Sequence, residues 1–151
     1  MYRGMYMIDF MEEALKQARI ALKLGEVPVG AVIVKNQKLI SEACNLKETL
    51  KDVTAHAEII AIRNASKVLD NWRLSGCSMY VTLEPCPMCA GAILQCRISR
   101  LYIGTFDTET GACGSVVNIV QSKFLNHWTH VQWDYNEQCS DVLKQFFKNK
   151  R

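Results

Sequence analysis

Apolar residues first recur at helical spacing just beyond Asp9. Met11, Ala14, Leu15, Ala18, Ala21 and Leu22 share one face and the pattern stops at Gly25, so the first predicted element is a helix with an inward apolar stripe. Asp9 and Glu12 have the spacing of a capping box at its start. The period then shortens. "VGAVIVKNQKLISEACN" holds two β-branched runs split by Asn36 and Gln37, a hairpin pattern whose turn lacks glycine. A polar loop over 46–53 leads to a second helix that Thr54 can cap, with Glu58, Ala61, Ile62, Ala65, Val68 and Leu69 along one face. "SMYVTL" reads as a third strand, Pro87 opens a third helix to about Gln95, and "ISRLYIGT" is a fourth strand. Glycine and small polar residues dominate from Phe106 to Asn126, after which "THVQWD" is a candidate fifth strand and a last helix covers about Glu137 to Phe147.

The middle of the chain thus alternates strand and helix, which predicts an α/β fold with right-handed crossovers and a sheet covered on both faces. No repeat, low-complexity tract or linker interrupts the 151 residues, so one domain over 1–151 is expected, large enough to bury roughly 70% of its unfolded surface. Hydrophobic residues at 49% and charged residues at 22% are globular proportions. No segment approaches the roughly 18–20 apolar residues of a membrane-spanning helix. The start has no unbroken apolar core and acquires Asp9, Glu12 and Glu13 early, so a mature, cytoplasmic protein is expected.

Seven cysteines make a full disulfide framework improbable, and Cys44, Cys77, Cys96, Cys113 and Cys139 read as small apolar residues. The net charge of +3 says little by itself. Its placement says more, because "KQFFKNKR" carries Lys144, Lys148, Lys150 and Arg151 beside Phe146 and Phe147 without one acid. That cluster suits either a helix C-terminus, whose dipole favours cations, or a nucleic-acid backbone with bases to stack.

The remaining cysteines carry the chemistry. If Pro87 is the first helical residue, Cys86 is the N-cap and Cys89 the third helical residue, so both sulfurs lie at the open N-terminal turn. The helix dipole and free N–H groups there favour thiolates, which serve redox chemistry or metal binding equally well. Zinc needs further ligands, and the chain has only His56, His127 and His130. Cys86, Cys89, His127 and His130 would make a closed structural site, although "HWTH" is a short spacing for it. His56 can also be a core histidine. Against that stands "TAHAEIIA", with His56 and Glu58 in the first turn of the second predicted helix. Crossover topology starts successive helices at the same carboxyl edge of a sheet, so both first turns would face one cleft. His56, Cys86 and Cys89 would then hold zinc with a fourth position left for water, and Glu58 would be the nearby base. Metal activation with a proton shuttle is suited to hydrolytic deamination.

"HAE" followed by "PCPMC" resembles the zinc-dependent nucleoside and nucleobase deaminases. Within them, "GEVPVGAVIV", "TAHAEIIAIRNA", "NWRL", "MYVTLEPCPMCAGAI", "SRLYIGTFDTETGACGS" and Asn126–His127 resemble the bacterial tRNA-specific adenosine deaminases. The resemblance implies a three-layer α/β/α cytidine-deaminase-like fold with a central mixed sheet of about five strands. It also implies one Zn²⁺ per chain, a homodimer, and conversion of the wobble adenosine in a tRNA anticodon loop to inosine, with attack at C6 and Glu58 moving protons. A free guanine or cytosine deaminase with the same zinc site is the alternative. By position, His56, Cys86 and Cys89 would be ligands and Asn45, the Ala57 backbone and Asp107 substrate contacts. Asn45 also fits an end-of-strand turn and Asp107 a loop turn. Phe106 and Glu109 stand where the resembling sequences often carry positive residues.

Overall fold

The computed structural model describes residues 7–150. Helix α1 (Phe10–Lys23) precedes a hairpin of β1 (Gly30–Lys35) and β2 (Lys38–Cys44). The short α2 (Lys47–Leu50), α3 (Ala57–Leu69), β3 (Ser78–Leu83), α4 (Pro87–Gln95), β4 (Arg100–Thr105), β5 (His130–Trp133) and α5 (Glu137–Asn149) follow. The strands form one five-stranded sheet in the order β2-β1-β3-β4-β5. β1 is antiparallel to both neighbours, whereas β3, β4 and β5 run parallel, so the sheet is mixed as expected. Asn36 and Gln37 both take positive φ, which is the two-residue hairpin turn whose twist matches its strands.

Helices cover both faces. Ala31 and Ile33 of β1, Met79 and Val81 of β3, and Leu101 and Ile103 of β4 point into a core shared with Ala57, Ala61 and Ala65 of α3 and Ala90 and Ile93 of α4. The alternate residues Val32, Val34, Tyr80 and Tyr102 face α1 and α5, where they meet Phe10, Leu15 and Cys139. This split is the period-two consequence of strand geometry. A Cβ at Gly30 would overlap the carbonyl oxygen of Ala14, so α1 lies directly on the start of β1. Cys44, Cys77, Cys96, Cys113 and Cys139 are buried and unpaired, in keeping with their reading as small apolar residues.

Some local expectations change. The N-cap of α3 is His56 in extended conformation, because Thr54 is held instead in a turn by the Asp52 carboxylate. The polar loop contains α2, and Val68 is 64% exposed because the buried stripe of α3 runs through Ala57, Glu58, Ala61 and Ala65. β4 starts at Arg100 and α5 continues to Asn149. Phe146 is buried while Phe147 is exposed, so the basic segment has an inward and an outward aromatic ring; Arg151 lies outside the described residues.

Candidate active site

Because β2 and β3 are each antiparallel to β1, they run the same way, and the chain leaves both at one edge of the sheet. α3 begins there after β2, and α4 begins there directly after β3. Cys86 is the N-cap of α4 with Pro87 at the first helical position, which puts Cys89 one turn inside. The two helix starts bring His56, Cys86 and Cys89 together, with their ligating atoms all within 4.8 Å of one another. His56 presents Nδ1, at 3.7 Å from the Cys86 sulfur and 3.5 Å from that of Cys89. Tetrahedral zinc with ordinary bond lengths separates a nitrogen and a sulfur ligand by about 3.6 Å, so this donor set fits the ion. Among the described residues it is the one such group; His127 and His130 are not part of it.

Glu58, in the first turn of α3, is 4% exposed and its Oε2 lies 3.4 Å from the Cys89 sulfur. Burial pushes its carboxyl above the usual range, with the Cys86 thiolate adding to the shift. The hydrogen bond from Cys89, together with that from His56, lowers Cys86 to about 4 against the opposing cost of burial. The same bond to Cys86 holds Cys89 protonated, with burial acting in the same direction. His56 is raised by its hydrogen bond to Cys86. The two thiols are thus pushed in opposite directions by one shared hydrogen bond, and a divalent cation held here would favour the thiolate form of both.

The cluster opens on a pocket of about 140 Å³. The start of α3 contributes His56, Ala57 and Glu58; Val27 and Val29 precede β1; Asn45 and Lys47 follow β2; Leu83 and Glu84 end β3; Asp107 and Thr110 follow β4. Thus all the residues expected at the substrate line one cavity. Asn45 donates to the Val27 carbonyl at 3.2 Å and accepts from the Lys47 N–H at 3.2 Å, so it also forms the end-of-strand turn. That leaves one amide N–H and a second carbonyl lone pair free to face the pocket. The Asp107 carboxylate accepts from the N–H groups of Glu109 and Thr110 and from the Thr110 hydroxyl, and so shapes its own loop.

Two buried carboxylates escaped sequence reasoning. Glu26 accepts from the backbone of Glu48 and Thr49 and from the Thr49 hydroxyl, fixing the loop beside Asn45. Glu84 does the same for the loop that carries Asp107. The available signal was an acid at the buried end of an apolar strand, directly before the cysteine motif.

A profile of the cytidine and deoxycytidylate deaminase zinc-binding region matches residues 7–105. The chain belongs to this deaminase family. It is 44% identical over 143 residues to the tRNA-specific adenosine deaminase of Bacillus subtilis strain 168, spanning 94% of this chain and 89% of that one. A structure from work on A-to-I editing by tRNA:A34 deaminases superposes with a TM-score of 0.85 at 44% identity, over 89% of this chain and 98% of the other. The guanine deaminase of Bacillus subtilis is less similar, with a TM-score of 0.63 at 33% identity over 93% and 92% of the two chains. The deaminase fold expected from the sequence is thereby established, and the matched region runs from α1 through β4 and so includes α3 and α4.

Proposed function

We propose that this deaminase converts the wobble adenosine of a tRNA anticodon loop to inosine, holding one zinc per chain on His56, Cys86 and Cys89 with Glu58 as the catalytic residue. The observation that carries the reading is a converged Nδ1, Sγ, Sγ donor set with a buried carboxylate 3.4 Å from one sulfur, at the base of a pocket, in a chain 44% identical to a tRNA-specific adenosine deaminase.

When bound, zinc supplies a Lewis acid that makes water a usable nucleophile near neutral pH. Glu58 accepts the proton of the attacking water as its oxygen bonds to C6, and delivers that proton to N1 of the adenine. The remaining hydroxyl proton passes through the same carboxylate to the exocyclic amine. The C6–N bond then breaks, ammonia leaves, and the product is inosine. A raised pKa suits both halves of this task, since the group must release the proton it has taken. The Ala57 backbone and the free amide atoms of Asn45 orient the nucleoside, and Asp107 faces the neighbouring nucleotide.

Single-stranded RNA as the substrate is supported by a groove that adjoins the pocket at Val27, Leu83 and Asp107. Phe106 and Phe147 line it, with Lys144 and Lys148 close by on α5. Exposed rings beside cations suit unstacked bases and their phosphates. The sequence resemblance supports a single domain over 1–151 that works as a homodimer in the cytoplasm. No helix among the described residues is long and apolar enough to cross a membrane.

The deciding experiment offers the protein an anticodon stem-loop containing the wobble adenosine and, separately, free guanine and cytosine. Inosine in the RNA is expected. Ammonia release from a free base alone would refute the substrate assignment and favour the guanine- or cytosine-deaminase alternative.

A further inference from the structure

The pocket contains two buried carboxylates, and they differ in how their oxygens are used. Glu58 has one contact to a thiol. Glu84 is 2% exposed, and both its oxygens are committed to the loop after β4. Its Oε1 accepts from the Asp107 N–H at 3.0 Å and from the Ser115 hydroxyl in a short bond. Its Oε2 accepts from the Cys113 N–H at 3.0 Å and the Ser115 N–H at 3.1 Å. Neither ion pair found among the described residues involves it, so its charge is balanced by backbone dipoles and one hydroxyl. A buried carboxylate without such donors is strongly unfavourable, hence Glu84 and the loop depend on each other.

The loop is seated from two further directions. Glu84 donates its own N–H to the Thr105 carbonyl, and Ala112 donates to the Pro85 carbonyl. A Cβ at Gly111 would overlap the carboxylate carbon of Glu84 and the Asp107 carbonyl oxygen, so the backbone closes directly over the acid. Asp107 and Thr110 line the pocket, and Phe106 and Asp107 line the adjoining groove.

We propose that Glu84 is a positioning residue that holds the 106–115 loop as the wall against which the nucleotides flanking the reacting base rest. The inference builds on the proposed tRNA substrate. Glu84 takes no part in proton transfer, since its acceptor sites are already filled by the loop. Glutamine cannot replace it, because every partner at both oxygens donates and an amide nitrogen would confront at least one N–H in either orientation.

The test uses the full-length, zinc-loaded protein with Glu84→Gln and, separately, Ser115→Ala. Three quantities are read: amide exchange across 106–116 by mass spectrometry, zinc per chain, and kcat and KM on the anticodon stem-loop. For Glu84→Gln we expect exchange and KM to rise about 10- to 100-fold, with zinc content unchanged and kcat changed far less. Ser115→Ala removes one donor and should move exchange and KM in the same direction by about fivefold, which keeps the test decisive if the glutamine variant does not fold. Wild-type exchange and KM in the folded variants would overturn the proposal, and so would a fall in kcat at unchanged KM. Exchange needs no substrate, so faster exchange in a protein that ignores the stem-loop would refute the tRNA assignment while leaving the loop-holding role of Glu84 standing.

Discussion

The centre on the first turns of α3 and α4 and the wall formed by the 106–115 loop share one pocket but are built on opposite terms. In the centre, His56, Cys86, Cys89 and Glu58 have few partners beyond one another, and the pKa values of all four are displaced. In the wall, four N–H and hydroxyl donors fill both oxygens of Glu84, and three more engage Asp107. An acid with spare acceptor capacity is available to take a proton, whereas one that is saturated serves to fix a shape. Two carboxylates in one cavity thus separate into chemistry and placement by hydrogen-bond count alone.

The largest expected effect lies at the centre. Cys89→Ala removes a fully buried member of the proposed ligand set, and metal analysis should show less than one zinc per chain together with no detectable turnover. Full activity with full zinc in that variant would remove the proposed ligand set. Glu58→Ala should come next, with kcat down by about 10²- to 10⁴-fold, zinc retained, and a melting temperature no lower than that of the parent. A parent-like rate would show that the uncommitted carboxylate has some other task.

The smallest effect belongs to the wall and depends on pH. Burial would raise Asp107, but the Glu109 and Thr110 N–H groups and the Thr110 hydroxyl outweigh it, so the folded-state pKa lies below the ordinary 3.8. Its stabilising contribution is therefore complete above that ordinary value and is lost as pH falls through the lowered one. Parent and Asp107→Asn melting temperatures, measured from pH 6 downwards, should differ by a modest amount at the start and converge in acid. A gap that stays constant with pH would mean that the Asp107 charge does not hold its turn.

The difference between these regions also explains what could be read from the sequence. The centre is local: Cys86 and Cys89 are one helical turn apart behind a proline, His56 and Glu58 lie two residues apart, and only the meeting of two helix starts had to be supplied by topology. The wall is not local, because Glu84 is 23 to 31 residues from its partners. Likewise α2 has only four residues and no side-chain cap, and Glu26, more than twenty positions earlier, organises it. Periodicity is blind to such pairings. Residue type favours Thr54 as the N-cap of α3, but Asp52 binds the Thr54 hydroxyl and backbone N–H and leaves the helix to begin after His56. Residue type, by contrast, placed all five strands, because runs of β-branched and aromatic residues between turn residues mark them locally.

Glu26 fixes the loop beside Asn45 and Glu84 the loop that carries Asp107, each through backbone N–H groups. Two segments that contribute lining to the pocket are thus each pinned by a buried acid. On the proposed function, a base must arrive already swung out from its neighbours, so the enzyme selects among RNAs by which nucleotide their own folding leaves protruding.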